Sequence, residues 1–88
     1  MIREVVTVEP LAGQFPRTRR GVVQGELGWA LWWSAKGHTW ETLEDRDEPT
    51  VAEGILWFAT WGEVLHVASR MTTPNGPALL EALQAVAV

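Results

Sequence analysis

Tryptophan is the residue type that most constrains how this chain can fold. The 88 residues include six tryptophans but no tyrosine and no cysteine. Each indole buries a large apolar area and carries one N–H group that needs an acceptor when buried. A domain of this length has a small interior, so some rings are expected at the surface, where they anchor ligands or partner proteins. The six are Trp29, Trp32, Trp33, Trp40, Trp57 and Trp61.

Length and charge exclude several classes of protein. A chain of 88 residues with a formal net charge of −4 predicts a single domain, residues 1–88, without the basic face of a nucleic-acid binder. No apolar run approaches the ~20 residues that span a membrane. The lack of cysteine excludes a disulfide framework and fits the cytoplasm. Six of the seven basic residues are arginine, which fits a GC-rich bacterial or phage gene.

The first third of the chain has the character of strands. The β-branched run Ile2–Val8 predicts a strand that Pro10 closes, and the glycines and prolines of Leu11–Gly21 predict a loop. Bulky and small residues alternate through Val22–Ser34, which favours one strand. The competing interpretation is a helix over Glu26–Lys36, but tryptophan and glycine are poor helix formers.

Two hairpins are expected further along. Ala35–Gly37 is typical of a hairpin loop and leads into a return strand, His38–Leu43. A three-residue loop would place Trp32 opposite Trp40, and a four-residue loop would place Trp33 there instead.

The second expected hairpin comes after an acidic connection, Glu44–Glu53. Within that connection, Thr50 and Glu53 have the spacing of a capping box and predict one short helical turn. The apolar run Ile55–Thr60 then predicts a strand, residues 61–62 a turn, and the alternation in Val64–Arg70 a second strand.

A C-terminal helix completes the expected fold. Pro77 suits the first helical position, and an apolar stripe comes after it at helical spacing. The prediction is an α+β domain: an antiparallel, meander-like sheet of four to five strands, with one C-terminal helix packed on one face. The stripe comprises Leu79, Leu80, Leu83, Val86 and Ala87.

No residue pattern predicts catalysis, a metal site or a cofactor. His38 and His66 do not belong to any metal-binding motif, and Ser34 and Ser69 lack the flanking glycines of a nucleophile turn. The stretch from Glu41 to Glu48 does not match a calcium loop and is interpreted as a solvated acidic surface. We therefore expect that the protein is not an enzyme and carries no cofactor.

The tryptophans locate the expected binding surface. If Trp29 and Trp33 face the helix, Trp32 and Trp40 share the opposite, uncovered face of the sheet. An exposed apolar patch of that kind marks an interface, so we expect a protein partner and self-association as a homodimer. The alternative is a small-ligand or carbohydrate-binding module. The predicted partner-binding residues are Trp32, Trp40, Glu44, Asp45, Asp47 and Glu48, and the predicted anion contacts are Arg17, Arg19 and Arg20.

Overall fold

The computed structural model describes residues 1–45 and 48–86, which form an α+β domain. Its four antiparallel strands lie in chain order, so the predicted meander is confirmed. The C-terminal helix is also confirmed, and two further helices accompany it. The strands are β1 (Arg3–Val8), β2 (Arg19–Gly25), β3 (Gly28–Ser34) and β4 (Glu53–Phe58), and the helices are α1 (Trp40–Leu43), α2 (Trp61–Ser69) and α3 (Gly76–Gln84).

A tight hairpin divides the segment that was expected to be one strand. Residues 22–25 and 28–34 are extended, and the chain reverses between Gly25 and Gly28, which face each other across β2 and β3. Gly28 has a φ of +148°, and a Cβ there would lie 2.0 Å from the carbonyl oxygen of Phe58. Only glycine fits this position, and it fixes the place where the strand ends.

The first face of the sheet is covered by α2 and α3. Val22 and Leu31 from the two central strands pack against these helices, and all the core members are at most 2% exposed. The helix stripe behaves as predicted, since Leu79 and Leu83 are fully buried. Val86 lies beyond the end of α3, and Ala87 lies outside the described residues. The core consists of Val22, Leu31, Val64, Ala68, Leu79 and Leu83.

The second face carries a smaller core beneath α1. Val23, Ala30, Trp32 and Leu43 are at most 1% exposed, and Trp40 packs against them. Trp32 therefore lies on the opposite face of the sheet from the α3 stripe, as the alternation predicts. The second face was expected to be open around Trp32, but Leu43 and Trp40 of α1 cover it there.

The segment predicted as the strand Val64–Arg70 is instead helical. Helix α2 begins at Trp61, and the Thr60 side chain caps it by accepting the N–H of Glu63. The Thr60 hydroxyl also donates to the Glu63 carboxylate at 2.9 Å, so the two side chains of this Thr-x-x-Glu pattern bond each other at the start of the helix. Trp61, Val64 and Ala68 contribute to the core on the first face, because their spacing also fits one side of a helix.

The prediction of a return strand over His38–Leu43 is also wrong. Its last residues form the short helix α1, and β3 pairs instead with β4, where Trp32 lies opposite Ile55 and Trp33 opposite Gly54. The Ser34 hydroxyl accepts the N–H groups of Lys36 and His38, both at 3.1 Å, which turns the chain away from the sheet.

The Thr50–Glu53 pattern forms its side-chain bond without a helix. The Glu53 N–H donates to the Thr50 hydroxyl at 3.1 Å, but Glu53 begins β4. The predicted helical turn is absent here because a strand begins directly after it.

Truncation of a core leucine in α3 should destabilise the fold. Leu83 is fully buried, so we expect Leu83→Ala to lower the free energy of unfolding by ~2–5 kcal/mol. Leu27 is 92% exposed, so Leu27→Ala is the control and should change it by less than ~0.5 kcal/mol. Urea denaturation of both variants measures the difference. Equal losses would contradict the assigned core.

Candidate functional site

An open groove lies where the β2–β3 hairpin meets the end of β4. It has a volume of about 620 Å³, in the range of ligand and side-chain pockets. Most of its lining is apolar, and Leu27 at the hairpin tip projects into solvent. We call it the Trp57 groove. Its lining residues are Met1, Ile2, Gly25, Glu26, Leu27, Glu44, Trp57, Phe58 and Ala59.

Trp57 is the aromatic centre of this groove. Its partner on β3 is Ala30, and its six-membered ring reaches across that small residue to Gly25 on β2. A Cβ at Gly25 would lie 2.9 Å from two carbons of the ring, so the ring occupies the space above this glycine. The side of the ring away from the sheet is accessible, because Trp57 is 44% exposed.

Two carboxylates border the apolar lining. Glu26 lies in the hairpin turn and Glu44 comes directly after α1, and both are exposed. The chain's amino group lies 3.5 Å from the Glu26 carboxylate. The groove therefore combines an accessible aromatic ring with two carboxylates at its rim, one of which faces the amino group.

The predicted acidic surface contributes in part to this groove. Glu44 lines it, and Asp45 is the exposed residue next along the chain. Glu48 is also exposed, but it does not line the groove, and Asp47 lies outside the described residues. Within residues 1–45 and 48–86, no three acidic or histidine side chains cluster closely enough to hold a metal ion.

The two tryptophans predicted as anchors lie elsewhere. Trp32 is 1% exposed, so the expectation that it lies at the surface is wrong. Leu43, Trp40 and Ile55 cover it, because α1 folds back over this face. Trp40 is half-buried and donates its indole N–H to the Glu4 carboxylate at 3.2 Å.

Sequence reasoning missed Trp57 and Leu27. Both lie in patterns that carried a usable signal: Leu27 is an apolar residue between two glycines in a turn, and Trp57 lies in an uncharged strand. An apolar side chain at the tip of a hairpin has no core to enter. The packing of α1 on the second face was not predicted, because the residues of α1 were assigned to the expected return strand His38–Leu43.

The three arginines do not form one anion site. Arg19 pairs with Glu9 at 3.0 Å, and Arg17 and Arg19 line a small cleft. Arg20 points to the interior, where its Nε donates to the Asn75 side-chain oxygen at 3.0 Å. Burial lowers the pKa of Arg20 from its ordinary value, since the charged form loses water. Arg20 thus connects β2 to the start of α3.

A serine, a histidine and a glutamate meet beneath the β3–β4 connection. The Ser34 hydroxyl donates to Glu53 Oε2 at 3.1 Å, and His38 Nδ1 lies 2.6 Å from the same oxygen. In a catalytic triad the histidine instead lies between the serine and the acid. Because both groups bind the carboxylate and Ser34 also accepts two backbone N–H groups, the cluster secures the connection between the strands.

Comparison of the chain with known proteins gave no match to a family model, a curated protein or a solved structure. Among the described residues, none of the helices has the length and apolar character needed to cross a membrane. The Trp57 groove is therefore the feature of the molecule that points to a function.

Substitution of Gly25 should displace the Trp57 ring. Because a Cβ at Gly25 would lie 2.9 Å from two ring carbons, we expect Gly25→Ala to push this half-exposed ring outward and shift its indole N–H resonance. Gly62→Ala is the control, since a Cβ there meets nothing within 4 Å. Two-dimensional NMR of the indole N–H groups measures both. An unchanged Trp57 resonance in Gly25→Ala would refute this placement of the ring.

Proposed function

We propose that the protein is a non-catalytic interaction factor that binds a partner protein through the Trp57 groove. The observation that carries the proposal is the half-exposed Trp57 ring, which lies on the sheet in an apolar groove. Aromatic side chains in such positions are frequent anchors of protein interfaces. Action in the cytoplasm of a bacterium or on behalf of a phage is part of the same proposal, supported by composition alone.

The charges at the groove indicate the chemistry of the partner. Glu26 and Glu44 border the apolar lining, and the chain as a whole has a net charge of −4. A fitting partner segment inserts an apolar side chain over Trp57 and places lysine or arginine beside the two carboxylates. Electrostatic attraction of this kind accelerates association and weakens as salt increases.

A catalytic role has less support. The Ser34 hydroxyl and His38 both bind the Glu53 carboxylate, so neither is arranged to activate the other. The Trp57 groove itself offers an aromatic ring and two exposed carboxylates, without a serine, threonine, cysteine, lysine or histidine among its lining residues. Binding is the activity that these side chains can perform.

Two synthetic peptides of equal length test the proposal. One alternates leucine with lysine, and the other alternates leucine with glutamate. We expect the lysine peptide alone to shift the Trp57 indole resonance, with an affinity that falls as salt increases. Trp57→Ala should weaken this binding by ~2 kcal/mol or more, as loss of an aromatic anchor does.

Charge variants provide the matched control. Glu26→Gln with Glu44→Gln should weaken binding of the lysine peptide, because both carboxylates lie at the groove. Glu81→Gln removes the charge of an exposed residue of α3 and should leave binding unchanged. Equal binding of both peptides would refute the charge argument, and binding of neither would refute the proposal.

The groove also supports a second candidate, a carbohydrate-binding module. A volume of about 620 Å³ and an accessible indole face would admit one sugar ring stacked on Trp57. Titration with a glycan panel should then change the fluorescence of wild-type protein and leave that of Trp57→Ala unchanged. A panel without any response would exclude this candidate and leave the peptide experiment to decide.

A further inference from the structure

The two edges of the sheet differ in their protection against pairing. The edge strand β1 carries Arg3 and Glu4, and its register shifts between Glu4 and Val6. Charges and bulges of this kind discourage a further strand. After Glu53, the edge strand β4 is uncharged and regular, and its Leu56 and Trp57 are 42% and 44% exposed.

The hydrogen bonds of β4 show which of its backbone groups face outward. The N–H and C=O of Glu53 both bond Thr50, while Ala52 accepts the N–H of Ala35 on the β3 side. Backbone groups of an antiparallel strand alternate in direction, so Ile55 and Trp57 also face away from β3. Strand β4 is the last in the sheet order β1-β2-β3-β4, so none of the described strands pairs with these outward groups.

We propose that the β4 edge pairs antiparallel with the β4 edge of a second copy of the chain, with Leu56 on the two-fold axis. Symmetry requires one residue to face itself, and with Leu56 there, Ile55 lies opposite Trp57 of the other copy. The outward N–H and C=O groups of Ile55 and Trp57 then face each other in the two symmetry-related pairs. Each pair forms two hydrogen bonds, which makes four in all. The edge is thus complementary to itself in this register. The pairing uses backbone groups of β4 and therefore goes beyond the proposed function, although the Trp57 side chain also belongs to the Trp57 groove.

The side chains and helices agree with this register. Leu56 would meet its symmetry mate on the helix side of the sheet, removing two half-exposed leucines from water. Ile55 and Trp57 would be neighbours on the other side. Helix α2 packs on α3 and, within the sheet, on β3 more than on β4. The β3 strands of the two copies would lie about 14 Å apart, wider than the 8–10 Å between packed helices, so the α2 helices do not collide.

A charge at the two-fold axis tests the pairing. Sedimentation from about 10 µM to about 1 mM should show wild-type protein approaching twice the 9.8 kDa chain mass. Leu56→Lys places two ammonium groups together and should raise the dimer dissociation constant more than ~10-fold. Leu11→Lys is the control, because Leu11 is 48% exposed in a loop, and it should dimerise like wild type.

Backbone amide exchange of the wild-type protein gives a second, independent measurement. The N–H groups of Ile55 and Trp57 should exchange fast in dilute solution and become protected as concentration rises. A wild-type monomer at about 1 mM, a dimer that survives Leu56→Lys, or a dimer without this protection would each overturn the proposal. If Leu56→Lys fails to fold, the exchange measurement alone decides. Failure of the groove proposal is separate, because peptide binding is measured on dilute monomer.

Discussion

Pairing of tryptophan with glycine is the constraint on which the sheet depends. A Cβ at Gly21 would lie 2.6 Å from the Trp32 ring nitrogen, one at Gly54 would lie 2.8 Å from the Trp33 ring, and one at Gly25 would lie 2.9 Å from the Trp57 ring. Each ring occupies the space that a side chain would fill on a neighbouring strand. A thin domain thereby accommodates large rings on both faces, with α2 and α3 packed on one face and α1 on part of the other.

Alternation of residues made much of the fold predictable. Gly28–Ser34 has side chains of period two, and the structure places Leu31 and Trp32 on the opposite faces that this period requires. The stripe of α3 was equally clear, because leucines recur at helical spacing after Pro77. These two local patterns indicated a sheet with a helix packed on it, which is the α+β class that the structure shows.

Where a segment fitted both a strand pattern and a helix pattern, the local sequence did not determine which of the two forms. Thr50 and Glu53 match a capping box, and so do Thr60 and Glu63, yet only the second box begins a helix. The difference lies in the residues after each box, because Ile55 and Trp57 pair with β3, whereas Val64 and Ala68 enter a core supplied by distant residues. The same tertiary contacts determine exposure, which is why Trp32 was expected at the surface and Trp57 was missed.

The link between Arg20 and α3 has a consequence for the order of folding. Asn75 accepts from Arg20 and donates to the Thr18 carbonyl at 2.7 Å, joining residues more than fifty positions apart in the chain. Strands β1 to β3 pair with strands that are close in sequence and can assemble early. Forming the Arg20–Asn75 link instead closes a long loop, which costs conformational entropy. During synthesis, the first face of the sheet therefore stays only partly covered, by α2, until α3 has emerged from the ribosome.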